Sequence, residues 1–169
     1  SLVVPDNPRI HGEAGSDLLA IPMASVVLVT LAVPEHGFNR SLEATGFLVP
    51  RPERRHLTAC SWFTSKWGQY AGGGSVVLRA SLGAIDAPGA CDLSDDVIVQ
   101  RTLDDLHQMM GLRADPSEVR INRWPDSFPQ YLPGHLGRVA RIESELGAVT
   151  DRVRLAGAAY RGIGIPACI

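Results

Sequence analysis

The feature that most constrains the fold is an apolar, β-branched run at residues 23–33, bracketed by Pro22 and Pro34. Successive side chains of a strand point to opposite faces, so an almost uninterrupted apolar run is typical of a strand covered on both faces. Proline is unfavourable inside a regular element, and the two prolines therefore mark the ends of this strand. The run is too short to cross a bilayer as a helix. The sequence thus predicts a buried strand near its start.

Further segments have the composition of strands. They lie at residues 46–50, 57–67, 75–82, 119–124 and 153–157. The first three follow the buried strand in series with short turns, and this arrangement favours an antiparallel meander. Pro125 is expected to end the strand at residues 119–124. An antiparallel sheet is thus the main expected element of secondary structure.

Two segments have the period of amphipathic helices. The first begins after Ser94, a candidate N-cap, and is expected to end at Gly111. Its expected apolar face consists of Val99, Leu103, Leu106 and Met110. Its acidic side chains are interpreted as a solvated face: Asp95, Asp96, Asp104 and Asp105. The second helix is predicted at residues 138–146, with one apolar side formed by Val139, Ile142 and Leu146.

The two ends of the chain are richer in turn residues. Residues 3–19 predict a loop that ends in one helical turn. Near the other end, the predicted strand at residues 153–157 is followed by a turn with Gly162 and Gly164 and then by the start of a third helix. Glycines let backbone approach a ligand closely, and N–H groups at a helix N-terminus favour an electron-rich group. Tight packing within the fold is the alternative explanation for such glycines.

Aromatic residues cluster around Lys66, the only lysine of the chain. Strand alternation would place Trp62 and Lys66 on one face and Phe63 and Trp67 on the other. An aromatic surface beside a cation would suit a flat ligand that carries carboxylates, whereas a lysine that only covers a half-buried strand is the alternative. Trp124, at the end of its predicted strand, is either a core aromatic or a residue that faces a cofactor.

Composition and spacing exclude several classes of function. The net charge of −2 provides no basic field for nucleic acid. The thiols of Cys60, Cys91 and Cys168 have no disulfide or metal-binding spacing, which is typical of reduced cysteines in a cytoplasmic protein. The sequence has no Ser/His/Asp, Cys/His or HExxH arrangement, so no catalytic residue and no metal ligand is assigned. An anion site would be built mainly from arginine guanidinium groups.

Several blocks of the sequence, in this order, carry a resemblance to a known family. They are residues 24–32, 46–50, 64–67, 123–125 with 129–131 and 134–136, and 155–169. With these blocks the chain resembles the flavin-containing porphyrinogen oxidases, members of the monoamine oxidase-like flavoprotein group. The resemblance covers almost all of the chain. Its most specific part is the combination of the last two blocks.

The resemblance implies an α+β fold that combines parts of two domains. Residues 1–125 would be a portion of the substrate-binding domain, with an antiparallel sheet and one helix. Residues 126–169 would be the closing segment of a Rossmann-like FAD-binding domain. The glycine-rich unit that holds the ADP half of FAD is not in this sequence. The chain would therefore be a C-terminal fragment that is inactive by itself.

The resemblance also implies a cofactor, a substrate and the residues that meet them. FAD would be contacted by Trp124, Gly157, Ile163, Gly164 and Ile165. The substrate pocket would include Leu48, Lys66 and Trp67. In this family FAD takes six electrons from a porphyrinogen in three two-electron steps and passes them to molecular oxygen, which yields hydrogen peroxide in haem biosynthesis. Apolar and aromatic walls would hold the macrocycle, and arginines or Lys66 would meet its carboxylates.

Three questions stay open at this point. The substrate is either coproporphyrinogen III or protoporphyrinogen IX, and peripheral association with a membrane is left undecided. Another amine-oxidase-like flavoenzyme would share the glycine-containing tail. A non-catalytic α+β module that binds a ligand, or that self-associates through an exposed sheet edge, is the alternative from a different class.

Overall fold

A computed structural model describes residues 13–38, 41–53 and 55–168. The chain divides into two compact units, which we call the sheet unit and the tail unit. The sheet unit is Ser25–Pro125. The tail unit combines the described residues before Ser25 with those from Asp126 onward. The expected α+β class is confirmed, because helices and one antiparallel sheet make up both units.

One five-stranded sheet contains all strands of the described residues. Its strands are β1 (Met23–Pro34), β2 (Gly46–Leu48), β3 (Leu57–Trp62), β4 (Ser75–Leu82) and β5 (Glu118–Pro129). Their spatial order is β2-β3-β4-β1-β5. The predicted meander is right for β2, β3 and β4 and wrong for β1, which pairs with β4 instead of β2. Residues 35–45 are longer than a hairpin loop, so β1 is free to pair with a strand further along the chain.

The core of the sheet unit lies on one face of the sheet, which we call the core face. β1 contributes Val27, Val29, Leu31 and Val33, all fully buried. Their alternation with half-buried residues differs from the prediction of a strand buried equally on both faces. Helix α3 (Asp95–Met110) covers the core face, since Ile98, Leu106 and Met110 belong to the same apolar cluster as these valines.

Helix α3 has the predicted ends and a slightly rotated buried side. Ser94 occupies the N-cap position, and Gly111 ends the helix with a left-handed backbone at φ 70°. The buried side chains include Ile98 and Thr102, whereas the predicted Val99 and Leu103 are half-buried. Thr102 can occupy the core because its hydroxyl donates to the carbonyl oxygen of Ile98 at 2.8 Å. A search for apolar side chains alone misses such a position.

Asp105 is not part of a solvated face, and this part of the prediction is wrong. Its side chain is 3% exposed, and its Oδ2 atom accepts hydrogen bonds from the backbone N–H groups of His56 at 2.8 Å and Leu57 at 2.9 Å. The Arg55 guanidinium lies 3.8 Å from the other carboxylate oxygen. A buried carboxylate is stable when charged donors and N–H groups satisfy it. Asp105 therefore attaches the start of β3 to α3.

Three predicted strand boundaries are also wrong. β3 ends at Trp62, and residues Phe63–Lys66 form the one-turn helix α2, closed by a hydrogen bond from the Trp67 N–H to the Phe63 carbonyl at 2.9 Å. The predicted alternation of Trp62 with Lys66 therefore does not exist. β5 continues through Pro125 to Pro129; among the described strands it lies at the edge of the sheet, where proline is tolerated. Residues 153–157 form no strand.

The tail unit is built on two packed helices. Helix α1 (Glu13–Leu19) packs against α4 (His135–Val149), and the short helix α5 (Ile165–Cys168) follows near the end of the chain. Ile142, Leu18, Ile21 and Ala159 form its apolar cluster. The predicted apolar side of the second helix is confirmed by the burial of Val139, Ile142 and Leu146. The loop predicted over residues 3–12 lies outside the described residues.

Helix α1 associates with the C-terminal segment. Arg141 on α4 pairs with Asp17 on α1 at 2.8 Å, and the Arg138 guanidinium donates to the Ala20 carbonyl oxygen at 2.9 Å. The described residues before Ser25 lie in the compact unit that contains residue 126 and those after it. The assignment of residues 1–125 and 126–169 to two domains of a longer protein stays a prediction.

The part of the chain that the structure describes contains neither a membrane-spanning helix nor a cluster of metal ligands. No helix there is long and apolar enough to cross a membrane. No group of three or more His, Cys, Asp or Glu side chains there could hold a metal ion. The three cysteines are all free thiols.

Replacement of Asp105 by alanine tests the attachment of β3 to α3. We expect Asp105→Ala to lower the free energy of unfolding by about 2 kcal/mol, because one buried and one part-buried N–H group lose a charged acceptor. Asp105→Asn, which keeps an acceptor oxygen, should lose less. Urea unfolding monitored by tryptophan fluorescence measures both. Asp104→Ala is the control, since Asp104 lies on the same helix but is exposed, and it should change stability by less than about 0.5 kcal/mol. Equal losses for the two alanine variants would contradict the role of Asp105.

The buried thiol of Cys60 gives a second prediction. Burial raises the pKa of Cys60 to about 12, with a smaller opposing effect from a backbone hydrogen bond. The thiolate is the reactive form, so almost none of it is present at pH 8 in the folded protein. We expect iodoacetamide to label the half-buried Cys91 and Cys168 before Cys60, as measured by peptide mass spectrometry. Cys60 should reach the rate of the other two in urea. Rapid labelling of Cys60 in the folded protein would show that the sheet core is open.

Candidate functional site

The tail from Gly157 to Cys168 exposes apolar side chains. Ile163 and Ile165 are 72% and 78% exposed, although isoleucine is normally among the most buried residues. Helix α5 has only four residues, and the Ala167 and Cys168 N–H groups both donate to the Gly164 carbonyl at 2.8 Å and 3.1 Å. The expected role of a helix N-terminus stays a prediction. The tail presents exposed apolar side chains, and at its glycines the backbone is not covered by a side chain.

The three glycines of the tail differ in whether the fold would tolerate a Cβ atom at their position. At Gly157 the backbone has φ 127°, which side chains rarely adopt. At Gly162 a Cβ atom would lie 2.8 Å from the Cβ of Ala167, so packing requires a glycine there. At Gly164 a Cβ atom would meet only the Cδ of Pro166 at 3.8 Å, an ordinary contact. The fold therefore explains Gly157 and Gly162 but leaves Gly164 unexplained.

Polar contacts from Tyr131 and from His135 of α4 hold the segment between Gly157 and Gly162. The imidazole of His135 is buried, and its Nε2–H donates to the Tyr160 carbonyl oxygen at 2.7 Å. The Tyr131 ring stacks on the His135 ring, with centroids 4.4 Å apart, and its hydroxyl donates to the Ala158 carbonyl oxygen. Desolvation raises the pKa of Tyr131, which keeps the phenol protonated as a donor. The sequence showed no partner for His135, and its partner is a backbone carbonyl near the tail.

The second candidate surface is the sheet face opposite the core face, which we call the second face. Directly paired residues of antiparallel strands share a face. Arg79 pairs with Thr30 on one side and with Ser61 on the other. Leu48 pairs with Ala59 on the same face. The second face of the central strands also carries small or half-buried side chains: Leu28, Ala32, Val77 and Ser81.

Leu48 and Trp124 lie on the second face at opposite edges of the sheet. Leu48 on β2 is 81% exposed. On β5, Val119 and Ile121 pack against the core, and Arg123 pairs with Asp95 of α3 at 2.6 Å, so alternation places Trp124 on the second face. Trp124 is 47% exposed, so it is not part of the core of the described residues. Four strand spacings separate the two edges, or roughly 19 Å.

An aromatic and cationic cluster lies where α2 meets β4. The Phe63 ring is 4.5 Å from the Trp67 ring and 6.1 Å from the Tyr70 ring, measured between centroids. The Lys66 Nζ atom lies 4.8 Å from the centre of the Trp67 ring. The Arg79 guanidinium carbon lies 5.4 Å from the centre of the Phe63 ring. Cations attract the electron-rich face of aromatic rings, so the cluster is held together by contacts that leave polar donors available.

The predicted cofactor and substrate residues therefore lie in three separate parts of the structure. Lys66 and Trp67 are in contact at the end of a helical turn, whereas strand alternation had placed them on opposite faces; their role in a substrate pocket stays a prediction. Trp124 and Leu48 share the second face. The third place is the tail unit, which contains the remaining predicted residues, Gly157, Ile163, Gly164 and Ile165.

Sequence reasoning missed Arg79. The signal for Arg79 was present, because it is the only charged side chain in the apolar β4 segment and it falls on the alternate positions from Leu78 and Ala80. Phe63 was named as part of an aromatic surface, but its contact with Arg79 was not foreseen, since it depends on the helical turn that replaces the end of the predicted strand.

The chain is similar to a known protein family and to individual proteins. The model of the flavin containing amine oxidoreductase family matches residues 3–169. Coproporphyrinogen III oxidase of Bacillus subtilis (strain 168) is 35% identical over 154 residues, which are 91% of this chain and 33% of the relative. Protoporphyrinogen oxidase of Macaca fascicularis is 28% identical over 158 residues, covering 90% of this chain and 32% of the relative.

A solved structure resembles the chain in the same way. The crystal structure of a candidate protoporphyrinogen oxidase from Exiguobacterium sp. 255-15 has a TM-score of 0.78 and 34% identity, and the match covers 90% of this chain and 34% of that one. The chain spans about a third of the length of the curated relatives described above. The family model, in contrast, matches nearly every residue of this chain, and the chain therefore belongs to the family of flavin-containing amine oxidoreductases.

Proposed function

We propose that the chain provides the C-terminal part of an FAD-dependent porphyrinogen oxidase of haem biosynthesis. The tail unit would contribute to the flavin site, and the sheet unit would contribute to the substrate site. The observation that carries the proposal is Gly164, a glycine that the fold does not require, between two isoleucines that are left exposed. The similarity to two porphyrinogen oxidases along nine tenths of the chain supports it.

The tail suits a flat, largely apolar ring. Exposed isoleucine side chains at positions 163 and 165 provide apolar contact, and the missing Cβ at Gly164 lets a ring approach the backbone. FAD, when bound, accepts the electron pairs of the reaction. The residues of this chain would orient the ring and exclude water from it. Trp124 would add an aromatic surface from the sheet unit, as the family resemblance implies.

The second face and the aromatic and cationic cluster suit a macrocycle with carboxylates. Leu48 and Trp67 supply apolar and aromatic contact, and Lys66 supplies a cation at the rim. We propose coproporphyrinogen III as the substrate, because the Bacillus subtilis enzyme named for it is 35% identical, compared with 28% for the protoporphyrinogen oxidase. We take molecular oxygen as the acceptor from the family resemblance alone.

Substitution of Gly164 tests the flavin contact without disturbing the fold. We expect Gly164→Ala to leave the midpoint of urea unfolding nearly unchanged, because a Cβ atom there makes only an ordinary contact at 3.8 Å. In the full-length flavoprotein, the same change should lower the fraction of FAD retained after gel filtration at least several-fold, measured from the flavin absorbance per polypeptide. Gly73→Ala is the matched control, since a Cβ atom there meets nothing within 4 Å.

The two variants separate a ligand contact from a packing effect. A Gly164→Ala protein that retains FAD as well as the control would contradict the flavin contact. Loss of both FAD and stability would show that Gly164 is needed by the fold itself.

The substrate class is tested by an oxygen-consumption assay of the full-length flavoprotein. We expect turnover with coproporphyrinogen III and none with benzylamine, the probe for an amine oxidase. Leu48→Ala should raise KM for the porphyrinogen several-fold with unchanged stability, because the Leu48 side chain is 81% exposed and supports little of the fold. Leu19→Ala, at a similarly exposed leucine of the tail unit, is the control. Oxidation of the amine instead of the porphyrinogen would favour the other amine-oxidase-like enzymes.

A further inference from the structure

The guanidinium of Arg79 has an unusual environment for a sheet arginine. β4 is the third of five strands, so Arg79 lies at the middle of the second face. Its contact in the described residues is the Phe63 ring at 5.4 Å, and no carboxylate there pairs with it. An arginine has five N–H donors in one plane, and contact with a ring face leaves those donors free.

The neighbours of Arg79 do not neutralise its charge. The directly paired residues are Thr30 and Ser61, whose hydroxyls are neutral. On β5, alternation places Glu118 on the second face, but its Oε1 atom accepts from the Arg120 guanidinium at 2.7 Å. A central arginine with no paired carboxylate among the described residues raises the local positive potential. Such a face attracts anions.

We propose that Arg79 is a specificity-determining residue that binds a carboxylate of the substrate, in concert with Lys66. This inference rests on the proposed function and deepens it by assigning the recognition of the macrocycle's acidic side chains. The two cations lie at the two ends of the aromatic pair, Arg79 on Phe63 and Lys66 on Trp67. The pair of rings, 4.5 Å apart, keeps the two charges separate. Two carboxylates on one edge of a flat ring can then be met at the same time.

The two cations differ in what they contribute. The guanidinium can bind a carboxylate with two parallel N–H···O bonds, which fixes the orientation of the group. The Lys66 ammonium is a point charge on a flexible chain and restricts orientation less. Arg79 should therefore set the position of the ligand on the second face, and Lys66 should add mainly attraction.

A purely structural role for Arg79 makes a different prediction. If its guanidinium only covered Phe63, its loss would affect charged and uncharged ligands alike, and a lysine in its place would restore little. If it instead contacted the cofactor, the flavin spectrum would change. The affinities of a charged and an uncharged probe distinguish these outcomes.

The test uses the full-length flavoprotein with FAD bound, and measures the Kd of two fluorescent probes. Coproporphyrin III carries four carboxylates, and its tetramethyl ester carries none. We expect Arg79→Gln to raise Kd for coproporphyrin III about tenfold, the factor that corresponds to ~1.4 kcal/mol for one hydrogen bond to a charged group. The Kd of the ester should change less than twofold. Arg79→Lys should recover part of the lost affinity, because it keeps the charge but not the paired N–H donors, and high salt should reduce the difference between the variants.

Arg113→Gln is the control for net charge, because Arg113 is exposed and lies on the loop after α3. It should bind both probes as the unchanged protein does. An equal loss for both probes, an unaltered Kd for coproporphyrin III, or a shifted flavin absorbance in Arg79→Gln would each overturn the role of Arg79. Absence of porphyrinogen oxidation by the unchanged holoprotein would instead overturn the proposed function.

Discussion

The pairing of β1 with β4 is the constraint on which the rest of the sheet unit depends. It places four branched side chains of β1 against α3, and burial of each such side chain contributes roughly 1.5–3 kcal/mol relative to exposure. Because side chains alternate, the same register sends Thr30 and Arg79 to the other face. The apolar face that stabilises the fold and the polar face available to a ligand are thus set by one register. A slip of one residue would exchange them.

Local sequence patterns correctly predicted the features that depend on interactions between residues close together in the chain. The apolar run of β1, the glycine end of α3 and the buried side of α4 all follow from period and capping, which act over a few residues. The partner of β1 did not follow, because strand pairing joins segments far apart in the chain. The burial of Asp105 was hidden for the same reason, since its partners His56 and Leu57 are 49 and 48 residues away.

The candidate site was predictable to a similar extent. The family resemblance supplied Lys66, Trp67 and Gly164, but only coordinates separate Gly164 from Gly162, since the distinction depends on what a Cβ atom would touch. Arg79 needed both the β4 register and the unexpected helical turn of α2, which brings Phe63 over the strand. A residue whose role depends on a neighbour in another strand cannot be identified from the local sequence pattern.

The edges of the sheet have a consequence for association between copies of the chain. β2, at one edge, is only three residues long. β5, at the other edge, contains Pro125 and Pro129, and neither nitrogen can donate to an added strand. Short edges and edge prolines are the devices by which natural sheets avoid adding foreign strands and growing into fibres. Among the described strands, both edges of this sheet therefore carry features that disfavour β-type polymerisation.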